Sequence, residues 1–99
     1  MALTPVQRQH LKALAHHKKP VVQIGGNGVT DGVLGAVEQA LKDHELIKVQ
    51  LPRDTEDKKS MAADVAERTE AELCQVVGRI AVLYRAGPPD KRNRIELPK

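Results

Sequence analysis

The chain has 99 residues, enough for one small domain whose apolar side chains fill a single core and too few for a deep, enclosed active site. Its one cysteine, Cys74, excludes an internal disulfide and a thiol cluster for zinc or redox work, which fits a reducing, cytoplasmic setting; no run approaches the roughly 20 apolar residues that cross a bilayer, and the N-terminus lacks the apolar core of a signal peptide. The formal net charge of +3 is modest, and its placement along the chain says more than its sum.

Thr4-Pro5-Val6-Gln7 opens the first helix: Thr4 is a candidate N-cap, Pro5 suits the first helical position, and Gln7 completes a capping box. The helix is expected to reach about residue 15, with Val6, Leu11 and Leu14 as its apolar stripe and Arg8 and Lys12 on another face. A basic hinge containing Lys18 and Lys19 leads into Val21-Val22-Gln23-Ile24, whose β-branched run reads as a strand. The chain then breaks into Gly25-Gly26-Asn27-Gly28, after which Thr30 caps a second helix over residues 31 to 43. Val33, Leu34, Val37, Ala40 and Leu41 line one face of that helix. In residues 46 to 51, Ile47, Val49 and Leu51 alternate with Lys48 and Gln50, a strand ended by Pro52 and expected to lie parallel to the first through a right-handed crossover.

A third helix, starting at Asp54 or Thr55 and covering residues 56 to 71, carries a thin apolar stripe of Met61, Ala62, Val65 and Ala66. Residues 73 to 77 and 80 to 85 read as two strands joined by a tight turn at Gly78-Arg79, with Cys74 packed inside the first as a small hydrophobe. The order α-β-α-β-α-β-β argues for an α/β fold, a two-layer sandwich with a four-stranded mixed sheet. Residues 1 to 86 are expected to form this single domain, and residues 87 to 99 a basic, proline-containing tail without regular structure.

Charge divides the chain. Arg8, Lys12, Lys18 and Lys19 stand among the first 24 residues with no acid, and Arg79, Arg85, Lys91, Arg92, Arg94 and Lys99 dominate the other end. Between them, residues 54 to 72 hold seven acids against Lys58, Lys59 and Arg68, so one flank repels polyanions and another attracts them.

The glycine segment is where strand, bare backbone and helix start converge. Such a loop brings main-chain N–H groups to the positive end of a helix with few side chains in the way, which suits phosphates; an ordinary strand-to-helix turn has the same appearance. It lacks the Gly-Lys-Ser/Thr ending of a nucleotide-binding P-loop and the Gly-x-Gly-x-x-Gly spacing of a dinucleotide site. His10, His16, His17 and His44 include no pair at the i, i+4 spacing of one helical face, and no carboxylate motif accompanies them, so neither a catalytic base nor a metal site is expected, and no cofactor. With no Phe or Trp, and Tyr84 as the sole aromatic, a base-stacking platform is excluded. What remains is recognition of a nucleic-acid backbone by Gly25, Gly26, Asn27, Gly28 and Thr30, with charge from Lys12, Lys18, Lys19 and Arg85.

Gln9-His10-Leu11-Lys12-Ala13-Leu14-Ala15, Lys19-Pro20-Val21-Val22-Gln23-Ile24-Gly25-Gly26-Asn27-Gly28-Val29-Thr30, Glu45-Leu46-Ile47-Lys48-Val49, Val77-Gly78 and Val82-Leu83-Tyr84-Arg85 follow one another as in the YhbY-type CRM domain, short for chloroplast RNA splicing and ribosome maturation, which this chain resembles. The likeness extends to the tail Ile95-Glu96-Leu97-Pro98. It implies an RNA-binding, non-enzymatic fold similar to the C-terminal domain of translation initiation factor three, with Gly25 to Gly28 as the RNA-contacting loop. Bacterial members formed by this domain alone are associated with precursors of the large ribosomal subunit, so ribosomal RNA is the expected partner and ribosome biogenesis the expected role, for a monomer in the cytoplasm. One departure is that no Lys or Arg stands between the glycines, and Asp31 follows closely. The competing reading is a protein-binding adaptor whose acidic third helix recruits a basic ribosomal protein and whose glycine loop is only a turn.

Overall fold

A computed structural model describes residues 3–53, 57–87 and 95. The first helix, α1, spans Pro5–Ala15 and begins with the expected capping box: the Gln7 amide donates to Thr4 Oγ1 and the Thr4 amide to Gln7 Oε1, each at 3.1 Å. Strand β1 spans Pro20–Gln23, helix α2 Asp31–His44 and strand β2 Leu46–Gln50. Helix α3 spans Lys58–Arg68, strand β3 Glu72–Val77 and strand β4 Ile80–Tyr84.

The third helix is shorter than the sequence suggests. Asp57 caps it by accepting from the Ser60 amide at 3.0 Å, while the expected start at Asp54 or Thr55 lies outside the described residues. It stops at Arg68 because Thr69 turns its hydroxyl back onto the Val65 carbonyl, 2.7 Å away, and Glu70 adopts a positive φ of 56°. The tail beyond residue 87 also lies outside the described residues except for Ile95, which packs beside Leu3, Leu11 and Tyr84.

The expected α/β class, element order and four-stranded mixed sheet are all present. The strands lie in the order β1-β2-β4-β3, with β1 parallel to β2 and the other two neighbouring pairs antiparallel. The period of two along β2 sends Ile47 and Val49 into one cluster and Leu46 into another. Ile47, Val49, Ala81 and Leu83 pack under Val37 and Leu41 of α2 and Ala62, Val65 and Ala66 of α3. Leu46, Cys74, Val82 and Tyr84 pack under Leu11 and Ala15 of α1. The helices divide between the two faces of the sheet, α1 on one and α2 with α3 on the other.

Within α1 the expected stripe is corrected. Leu11 is fully buried, but Val6 is 59% exposed and Leu14 40% exposed, and Ala15 takes their place in the core. At about 100° per residue, Ala15 returns to the side of Leu11 while Val6 falls on the far side of the helix. The stripes read for α2 and α3 hold, with Val37, Leu41, Ala62, Val65 and Ala66 buried.

Candidate functional site

The glycine loop continues directly from β1. Ile24, buried in the core, donates its amide to the Gln50 carbonyl at 2.8 Å, which ties the start of the loop to the end of β2. The Gly28 amide then donates to the Gly25 carbonyl at 3.0 Å, closing a turn, and Gly28 takes φ +75°, a conformation a side chain adopts only under strain. Thr30 caps α2 through its hydroxyl, which accepts from the Val33 amide at 3.2 Å, with Asp31 in the first turn.

Gly25 and Gly26 are different. Neither has a positive φ, and a Cβ built on either would meet nothing among the described residues within 4 Å. Neither the backbone there nor packing against the described residues requires glycine, so what the missing side chains leave open is an approach from outside.

Beside the loop is a hollow of about 340 Å³ whose wall includes Gly25, Gly26, Gly28, Pro52, Met61 and two arginines, Arg53 and Arg79. The topology explains the meeting. The two parallel strands deliver their C-terminal ends to one edge of the sheet, and the antiparallel pairing of Gln50 with Ile80 brings the β3–β4 turn to the same edge. Arg79 is locked there: its carbonyl accepts from the Leu51 amide at 2.6 Å, and its Nε donates to the Leu51 carbonyl at 3.2 Å. Open α/β sheets present ligand sites at the carboxyl ends of their strands, so strand order is the signal that points to these two cations. Sequence proximity to the loop does not include either.

The other sequence-derived candidates fall in three places. Lys12 lies on α1, across the sheet from α2 and α3, and shares a second hollow with His16 and Lys48. Lys18 and Lys19 are exposed in the hinge that precedes β1. Arg85 does not join the loop. It follows β4 at the end where Tyr84 pairs with Leu46, the length of the strand away from the Gln50–Ile80 end. Its guanidinium Nη1 donates to Glu38 Oε1 at 2.9 Å and to the Thr69 carbonyl at 2.8 Å, linking α2 to the end of α3. Tyr84, only 2% exposed, is core and presents no ring for stacking.

Among the described residues no group of three or more His, Cys, Asp or Glu side chains could hold a metal ion, and no helix is long and apolar enough to cross a membrane. Cys74 is buried in β3; desolvation, partly offset by the charges of Arg8 and Lys12, pushes its thiol up to about 11, so it is protonated at neutral pH and a poor nucleophile.

Residues 3–85 match the sequence model of the CRS1 / YhbY (CRM) domain. A Haemophilus influenzae protein named RNA-binding protein is 46% identical over 98% of this chain and 96% of its own length. A probable RNA-binding protein of Bacillus subtilis is 36% identical over 97% of this chain and 99% of its own length. The solution structure of a hypothetical protein from Staphylococcus aureus superposes with a TM-score of 0.82 at 37% identity, covering 98% of this chain and 100% of the other.

Proposed function

The chain belongs to the CRS1 / YhbY (CRM) domain family, and from that premise we propose that it is a non-enzymatic RNA-binding protein that docks on ribosomal RNA of large-subunit precursors. One observation carries the RNA-binding reading: Gly25 and Gly26 are bare where nothing among the described residues demands it, next to two arginines. A phosphodiester backbone needs close approach and fixed positive charge. The loop supplies main-chain N–H groups without side chains in front of them, and Arg53 and Arg79 supply the cations that the segment between the glycines lacks. Lys12 on the α1 side and Lys18 and Lys19 at the opposite end of β1 offer further phosphate contacts to an extended RNA, and Asn27 and Thr30 complete the set of loop residues that meet RNA. The RNA-binding names of the H. influenzae and B. subtilis relatives agree with this reading. The ribosomal target is carried over from the role of bacterial members formed by this domain alone.

Phosphate contacts carry little sequence information, so the protein should prefer RNA shape to base sequence at this loop. The test is a salt series with a folded ribosomal RNA fragment and homopolymer RNAs of matched length, together with crosslinking to RNA in cells and sequencing of the attached fragments. The folded fragment should bind more tightly, with log affinity falling linearly in log salt, and the crosslinked fragments should come from large-subunit precursor RNA. Absence of RNA binding at low salt, together with capture of a basic ribosomal protein on the acidic α3 side, would establish the adaptor instead.

A further inference from the structure

Strand β3 carries one more residue than β4 can pair. Leu73 pairs with Leu83 and Gln75 with Val82, leaving Cys74 as the extra residue of a β-bulge. In a regular strand Gln75 would face away from α1, because Cys74 packs in the α1-side cluster. The bulge breaks that alternation. Cys74 and Gln75 both lie on the α1 side, and only at Val76 does the strand return to the other cluster. Bulges are found where a strand re-aims a side chain, and here the re-aimed group is an amide set into an otherwise aliphatic floor.

That floor belongs to the second hollow, of about 270 Å³. Ala15 and Val82 form its buried base, Val77 and Ile80 its wall towards the β3–β4 turn, and Lys12, His16 and Lys48 its polar rim. Neither lysine makes an ion pair with a described carboxylate, and the Gln75 amide has no hydrogen-bond partner among the described residues. An apolar floor, one group able to both donate and accept, and cations around the edge form the complement of a nucleotide: a flat, weakly polar base with a hydrogen-bonding rim, attached to an anion. The volume falls below the roughly 300–1,000 Å³ of sites for drug-sized ligands, which suits one base and excludes a stack of them.

We propose that this hollow takes a single nucleotide extruded from an RNA helix, with the base lying on Ala15 and Val82, its edge read by Gln75, and its phosphate held by Lys12 and Lys48. The inference rests on the RNA-binding reading and adds a base-recognising subsite to it. The hollow adjoins the glycine-loop hollow through the β3–β4 turn, since Val77 and Ile80 line one and Arg79 the other. One RNA backbone can therefore run from Gly25–Gly28 across the turn into the Lys12–Lys48 rim. Extruding a paired base costs its pairing and stacking, and an unpaired base costs least, so the preferred substrate is a helix with a bulged nucleotide.

The probes are short RNA hairpins identical except at one position, which holds a bulged A, C, G or U, an abasic nucleotide, or no bulge. Affinities are measured by fluorescence anisotropy for the wild-type protein, Gln75→Leu and Gly26→Glu. At least one bulged base should bind the wild type about tenfold more tightly than the abasic hairpin, within the range a single base contact supplies, and Gln75→Leu should remove most of that difference. Gly26→Glu should weaken all hairpins alike and leave the base preference in place. If the wild type binds abasic and bulged hairpins equally while Gly26→Glu weakens both, the hollow holds no base and the RNA-binding reading stands without it. Retention of the full base preference by a Gln75→Leu variant with unchanged melting temperature overturns the assignment to this hollow. Failure of every hairpin to bind removes the RNA-binding reading and this inference with it.

Discussion

Arg85 and Glu38, 47 residues apart in sequence, meet at 2.9 Å, and the same guanidinium nitrogen reaches the Thr69 carbonyl at 2.8 Å. The pair ties α2 to the end of α3 at the edge of the sheet remote from the glycine loop. Because Glu38 is 39% exposed, much of the ion-pair attraction is screened, and the carbonyl hydrogen bond matters at least as much. Arg85→Leu should lower stability in urea unfolding by about 1–3 kcal/mol, the range for losing a charged hydrogen-bond donor, and leave RNA affinity unchanged. A tenfold loss of RNA affinity at unchanged stability would move Arg85 back into the binding surface.

The glycines separate into two kinds. Gly26→Glu places bulk and negative charge in open space without backbone strain, so it should reduce RNA binding while the melting temperature stays put. Gly28→Ala forces a Cβ into φ +75°, which should cost about 1–2 kcal/mol in stability. Comparison of the two by thermal melting and RNA titration distinguishes a loop shaped for a partner from one shaped only to turn.

Arg53 and Arg79 line the hollow beside the loop. The double change Arg53→Ala with Arg79→Ala should flatten the dependence of log affinity on log salt by about one unit for each phosphate that is no longer neutralised. Lys58→Ala with Lys59→Ala, on α3 among acids, should leave the slope as it is. An unchanged slope in the arginine variant would place the phosphates elsewhere.

Cys74 supplies a pH signature of the core. Its thiol is pushed from its ordinary value of 9.0 up to about 11, chiefly by burial, so the folded state holds a proton that the unfolded state releases. The stabilisation is fully present below pH 9.0 and is lost as the pH rises towards about 11. In urea unfolding across that window Cys74→Ala should show a shallower decline than wild type. In native protein at neutral pH, thiol reagents should label Cys74 only slowly.

Most of the fold is legible in the sequence because its signals are local. The Thr4–Gln7 box, the Thr30 cap, the alternation of Ile47 and Val49 with Lys48, and the Gly78-Arg79 turn each depend on residues a few positions apart. The length of α3 is less legible, because Thr69 and Glu70 end the helix through a back-bonded hydroxyl and a positive φ that their side chains do not advertise. The sides of α1 are ambiguous for a related reason: Val6 and Leu14 are as apolar as Leu11, and only the sheet decides which of them is covered. The candidate binding surface is half visible. The glycine segment announces itself, but Arg53, Arg79 and Gln75 enter through strand order and a bulge, which are long-range properties. Arg85 reads as a free cation until Glu38 and Thr69 are brought beside it.

Contact of RNA with the glycine loop is read most directly from the shift of backbone amide resonances as a folded ribosomal RNA fragment is added. Gly25, Gly26, Gly28 and Arg79 should move furthest, with Lys12 and Gln75 following and the amides of α3 beyond Met61 unmoved. Shifts confined to the acidic turns of α3, with the three glycine amides in place at saturation, would contradict it.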